Sequence, residues 1–293
     1  MLIAKFKATL LIVLLTFPVS LKATTFVFFV TPHGMIIGSD SKMFTTQVLG
    51  STSSRTAERS TRKFVIVQDR IVVASIGHAD IKGGSAHYNF LTWMQELQAK
   101  LPAGISVDDL ALTIQTESAK VFAEITTVLQ RDIIKCYEPT ETCGSFVQYV
   151  IAGYQGGAPR IQMVQYYVNW DEKRLIGPEP ILLDPNEQTI GNFHIHYLGI
   201  REALTNLLNR SSYAYKQTMA SSPVAFGDLV AHRDISLDAT IGLVRSLIEV
   251  EEKINPDDVG GRINVVKVLP NGRAREVIDK LPKPITRDKK KQN

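Results

Sequence analysis

Two threonines, Thr24 and Thr25, stand in the stretch LKATTFVFFVTPHGMIIGSDSKM, directly after a basic and apolar leader. Lys5 and Lys7 open that leader, Ala8 to Val19 is an apolar run broken by Pro18, and Leu21-Lys22-Ala23 ends on a small residue. This is the pattern of a secretory signal peptide. Its removal leaves Thr24 as the N-terminus, with a hydroxyl and a free α-amine on one residue. A threonine hydroxyl is a weak nucleophile until a base takes its proton. The α-amine has a reference pKa of about 7.7–8.0, so part of it is neutral near pH 7, and covalent geometry holds it beside the hydroxyl. Nucleophile and base then belong to the same residue. The apolar run is short against the ~20 residues of a spanning helix, so cleavage is expected over anchoring, and the protein is expected to be exported, periplasmic or extracellular.

Other residues with chemical potential are fewer. Cys136 and Cys143, in IIKCYEPTETCGSF, are separated by a turn-like segment that includes Pro139. In an oxidising compartment such a pair is expected to bridge. Two thiols without a nearby histidine are too few for a metal. His194 and His196 alternate on one strand face, but a third ligand is not evident, so they read as packing or surface residues. Asn209-Arg210-Ser211 is a glycosylation sequon, meaningful only in a eukaryotic secretory path. The sequence holds no Gly-x-Ser-x-Gly and no phosphate loop, and no cofactor or metal is expected.

The elements that must carry these residues are legible in the pattern. Of 293 residues, 44% are hydrophobic and 21% charged, the composition of a globular chain. The net charge of +4 comes from the leader and from the basic tail KLPKPITRDKKKQN, so the body between them is mildly acidic, which argues against a nucleic-acid binder. Residues 1–23 read as leader, 24–279 as one domain and 280–293 as a basic, solvated tail. Thr25 to Val30, the turn TPHG and MIIGSD form a hairpin, and Lys63 to Val67 with IVVASIG form a second. The polar run TTQVLGSTSSRTAERSTR between them reads as a loop. Helical patterns follow in AHYNFLTWMQELQAKL and in SVDDLALTIQTESAKVFAEITTVLQRDII, the latter capped by Ser106. Strands return in SFVQYVIAGY, RIQMVQYYV, PILLD and NFHIHYLG. Helices are expected over Ile200 to Asn209 and, capped by Ser236, over Leu237 to Ile254, before a final hairpin of RINVVKVL and RAREVI. Strands, two helices, strands, two helices, strands is an α+β order whose apolar faces need one another.

These residues resemble the proteasome β-subunit family of N-terminal-nucleophile hydrolases. TTFVFFVTPHGMIIGSDSK is similar to that family's opening, with an aspartate 16 residues after the leading threonine. RKFVIVQDRIVVASIGHAD resembles its second hairpin, VIAGYQGGAPRIQMV its IAGYD…GP hairpin, and ISLDATIGLVRSLIEVEEKINPDDVGGRINVVKV its last helix and glycine pair. The likeness spans nearly all of the chain after the leader. It implies a four-layer αββα sandwich, two antiparallel sheets flanked by helix pairs. It also implies Thr24 as nucleophile, Lys63 as the lysine that tunes its amine, Asp40 as the holder of that lysine, and the Gly77 N–H as oxyanion donor.

The sequence departs from the family pattern at the supporting residues. Val259 stands where the family has a serine before two glycines, and Pro256 where it has an aspartate, with Asp257 or Asp258 as a shifted substitute. Another supporting serine falls at Leu198. The expected function is an exported threonine peptidase or amidohydrolase acting on a peptide or other amide substrate. Its rivals are an inactive binding or assembly protein of the same fold and a small-molecule amidase. A homo-oligomer is compatible with this reading, and no ATPase partner is expected outside the cytoplasm.

Overall fold

The structure, a computed structural model, describes residues 25–49, 52–59, 62–77, 79–83, 86–135, 145–169, 174–183, 189–190, 193–199 and 205–277. Thr24, Cys136, Cys143, the leader and the tail lie outside the described residues.

The first hairpin forms as expected, with β1 (Thr25–Thr31) and β2 (Gly34–Ser39) paired antiparallel. Thr31 closes its turn: its Oγ1 accepts from the His33 N–H (3.1 Å) and donates to the Gly34 carbonyl (2.9 Å). The second hairpin is β5 (Phe64–Val67) and β6 (Ile71–Gly77). Gln68 and Asp69 between them take positive φ (50° and 54°), the mirror-image turn that suits the twist of paired strands.

Between these hairpins the structure corrects the sequence reading. The run expected as a loop is largely two strands, β3 (Lys42–Leu49) and β4 (Thr52–Arg59), paired antiparallel. Its Ser and Thr content hides the strands because no apolar face marks the period, yet threonine suits a pleated backbone. β3 also pairs, in parallel, with β7 (Asp80–Gly83), which pairs with β8 (Ala86–Asn89), so a four-stranded sheet β4-β3-β7-β8 stands beside the two expected ones.

Those two are antiparallel throughout. One has the order β12-β13-β1-β2-β14-β15, with β12 Thr189–Ile190, β13 Phe193–Gly199, β14 Asn264–Val268 and β15 Ala274–Glu276. The other runs β11-β10-β9-β6-β5, with β9 Ser145–Gln155, β10 Ala158–Asn169 and β11 Arg174–Leu183.

Five helices are described. α1 spans Phe90–Gln98 and starts later than the periodicity predicts, because the Asn89 side chain caps it by accepting from the Leu91 and Thr92 N–H groups (3.1 and 3.2 Å) and so ends β8 instead. α2 (Val107–Lys135) and α5 (Leu237–Ile254) have the expected serine caps, with Ser106 Oγ accepting from Asp109 N–H and Ser236 Oγ from Ala239 N–H. α3 (Tyr213–Ser221) and α4 (Pro223–Val230) lie beyond the helix expected over 200–209, of which 200–204 fall outside the described residues. They are short, and Ser212 and Pro223 mark their starts. None of the described helices is long and apolar enough to cross a membrane.

Burial follows the strand period of two. Phe26, Phe28 and Val30 of β1 share an apolar cluster with Ile37, Phe64, Val72, Ala74, Val150, Ala152 and Ile161, residues of both large sheets. The alternate residues Val27 and Phe29 share another with Phe226 of α4 and Val244, Leu247 and Ile248 of α5. On the other sheet Val73, Tyr149, Ile151 and Val164 pack with Met94 of α1 and Leu110, Ile114 and Phe122 of α2. The molecule is thus mixed α+β with antiparallel sheets buried on both faces.

Candidate active site

Strand ends from both large sheets meet at one place. β1 starts at Thr25 where its neighbour β2 ends at Ser39, and β14 starts at Asn264, paired with Ser39. In the facing sheet β5 starts at Phe64 where β6 ends at Gly77. Asp40 follows β2 and Lys63 precedes β5. Their side chains join the two sheets, with Lys63 Nζ 2.7 Å from Asp40 Oδ1 and both residues at most 1% exposed. Sequence spacing therefore separates by 23 residues two groups that the fold brings into contact.

Asp40 accepts at all of its lone-pair positions. Oδ1 takes Lys63 Nζ and the Thr25 N–H (2.9 Å), and Oδ2 takes the Lys42 and Gly260 N–H groups (3.2 Å each). The carboxylate is thereby fixed in orientation, with its lysine side facing the peptide nitrogen that joins Thr25 to Thr24. Burial is the largest influence on Lys63 and pushes its pKa below the usual lysine value. The Asp40 charge and hydrogen bond oppose that shift, and the nearby Lys42 charge adds to it.

Gly77 ends β6 with φ +89°, and a Cβ there would lie 2.4 Å from the Phe146 carbonyl oxygen, so glycine is required on two counts. The Ser75 N–H donates to the Lys63 carbonyl (3.0 Å). N–H direction alternates along a strand, so the Gly77 N–H, two residues on, lies on the β5 edge and not on the β9 edge.

The turn after α5 brings main-chain groups to this junction. Asp257 is exposed and enters the site through its carbonyl oxygen, which Lys42 Nζ contacts together with the Pro256 carbonyl (2.8 Å). The half-buried Asp258 donates its N–H to the Asn255 carbonyl (3.1 Å). Val259 belongs to the helix-side apolar cluster, so it is a core residue and not a vacant hydroxyl position. Leu198, paired opposite Phe26, packs against the inter-sheet cluster. The backbone of Gly260 supplies a polar contact to Asp40 from this turn. Gly261 (φ +83°) lets the chain pass Ser41, whose Oγ would lie 2.6 Å from an added Cβ and accepts the Arg262 N–H at 2.6 Å. The residues that spacing missed are thus Lys42 and the Gly260 N–H. Lys42 left a faint signal, a charged residue two positions beyond Asp40 at the mouth of a strand. A main-chain donor leaves none.

His194 and His196 lie on β13 opposite Val30 and Phe28 of β1. Among the described residues no group of three His, Cys, Asp or Glu could hold a metal.

No protein-family model matches the chain, and no curated protein sequence matches it.

Proposed function

We propose that this chain is an exported threonine hydrolase of the proteasome-like N-terminal-nucleophile type, cleaving peptide or other amide bonds. The observation that carries the reading is the fully buried Asp40–Lys63 pair, whose shared oxygen Oδ1 also holds the N–H of the residue next to Thr24. A buried ion pair is seldom a net source of stability over apolar packing. The burial of Lys63 against Asp40 where strand ends of both large sheets converge supports a functional role for the pair. The three apolar clusters support the four-layer αββα reading, in the order helices, sheet, sheet, helices.

In this mechanism leader removal frees the Thr24 α-amine. The neutral amine accepts the Thr24 Oγ proton as Oγ bonds to the substrate carbonyl carbon. The Lys63 ammonium favours the neutral amine over its charged form and stabilises the negative charge developing on Oγ. The Gly77 N–H donates to the carbonyl oxygen as it becomes an oxyanion; one such donor contributes about 2.7–4 kcal/mol. The C–N bond then breaks, the departing amine takes the proton, and water hydrolyses the Thr24 ester by the same relay. Asp40 touches no reacting atom and serves by holding Lys63.

A peptide epoxyketone tests this, because the reagent requires hydroxyl and amine on one residue. The processed protein is expected to label at Thr24, and Thr24→Ala to abolish labelling. A folded, processed protein that neither labels nor cleaves a peptide library would favour the binding-protein reading.

A further inference from the structure

The threonine reading leaves Lys42 without a role, although only 5% of this lysine is exposed. Its N–H faces both Asp40 Oδ2 (3.2 Å) and the Gly260 carbonyl (2.8 Å). Its Nζ reaches across the junction to the carbonyls of Pro256 and Asp257, just past the end of α5 at Ile254. Both carbonyls belong to the turn beyond the helix, and each is a main-chain acceptor. An ammonium, with three donors and no acceptor, is suited to gather them. Those carbonyls lead within a few residues to the Gly260 N–H, which supplies one of the four bonds on Asp40.

We infer that Lys42 is a positioning residue of this site: it ties the 256–260 turn to the β2–β3 junction, and so keeps the Gly260 N–H on Asp40 and Asp40 on Lys63. The inference rests on the threonine-hydrolase reading for its effect on rate, but not for its effect on the Gly260 bond. Charged groups around this junction include Asp40 and Lys63 on the sheet side, Asp257, Asp258 and Arg262 in and after the turn, and Glu252 of α5, whose Oε1 would lie 2.9 Å from a Cβ on Gly260. The Lys42 charge also pushes the Lys63 pKa down, which places the two ammonium groups within electrostatic reach of each other. Simple anchoring of the helix end is the competing account. It predicts lost stability and a more open turn, with the labelling rate of the folded protein unchanged.

The test uses Lys42→Met and Lys42→Arg in the processed protein, each measured well below its own Tm. Two readings are taken: the maximal rate and half-saturation of epoxyketone labelling, and hydrogen exchange at the Gly260 amide. Lys42→Met is expected to slow the maximal rate ~10-fold or more, since a misplacement of about 1 Å arising away from the chemistry can cost about 10²-fold. Half-saturation should stay unchanged, and the Gly260 amide should lose protection. Lys42→Arg, which keeps charge and donors, is expected to restore both readings. If Lys42→Met does not fold, Lys42→Gln takes its place, with losses in the same direction. A folded neutral variant that labels at the wild-type rate and keeps Gly260 protected overturns the inference. A wild-type protein that does not label contradicts the threonine reading alone. Exchange at Gly260 then decides the Lys42 inference, with unchanged protection in the variant overturning it.

Discussion

Asp40 and Lys63 are each buried against the other, so removing one leaves the other charged and without its counter-ion. Breaking such a pair typically costs about 3–5 kcal/mol. Lys63→Met and Asp40→Asn are each expected to lower Tm and to slow epoxyketone labelling by about 10²–10³, the range for losing one group that stabilises developing charge. The double variant Asp40→Asn/Lys63→Met separates structure from chemistry. It removes the unpaired charge, so part of the stability should return. Full recovery is not expected, because the new amide turns its NH₂ either toward the Thr25 N–H or toward the Lys42 and Gly260 N–H groups. Labelling should stay low, since the ammonium is gone. Calorimetry and labelling of the three variants check this, and labelling that recovers along with stability would mark the pair as structural only. The lowered pKa of Lys63 adds a pH signature. The mechanism needs the ammonium, so the rate falls as pH rises through the Lys63 pKa. That alkaline limb should lie below the ordinary lysine value of about 10.4. The linkage has the same origin: between the folded pKa and the ordinary value the unfolded chain binds the extra proton, so stability rises with pH across that window. A labelling profile still rising above pH ~10.4 would contradict the assignment of Lys63.

At the scale of elements, the site depends on strands that end together and on turns that only glycine can make. Gly77→Ala combines a left-handed backbone position, costing roughly 1–2 kcal/mol for a side chain, with a Cβ that would lie 2.4 Å from the Phe146 carbonyl oxygen. Thermal denaturation should show a loss of about 2 kcal/mol or more. Labelling at a temperature where the variant is folded should fall as the Gly77 N–H moves. An unchanged Tm would show that β6 does not end as described. The elements also show what the sequence could carry. β1, β2, β5, β6, β9 and β10 were legible because alternating apolar residues mark both faces of a buried strand. β3 and β4 were not, since a Ser/Thr-rich hairpin stabilised by its backbone ladder looks like a loop. Asp40 and Lys63 were legible by resemblance, being side chains in recognisable strings. The Gly260 N–H was invisible, because any residue except proline offers the same donor. Val259 misled for the opposite reason: its position in the string pointed to the site, and its side chain points to the core.

For the whole molecule, two sheets buried on both faces leave the ends of their strands as the place where polar groups from both can meet water and substrate. The Asp40–Lys63 pair sits at that end, and the chain reaches it at Thr25, the first residue of β1. Thr24 can act there only as a free terminus, because in the uncut chain its nitrogen is an amide and not a base. On the proposed reading activity is coupled to export, and the unprocessed precursor should be inert toward the epoxyketone. The central claim is that the leader is removed at this bond, and the N-terminal residue of the exported protein tests it most directly. Intact-mass measurement with N-terminal sequencing is expected to read Thr24-Thr25-Phe26. A mature chain that retains residues before Thr24, or that begins beyond it, would contradict the account.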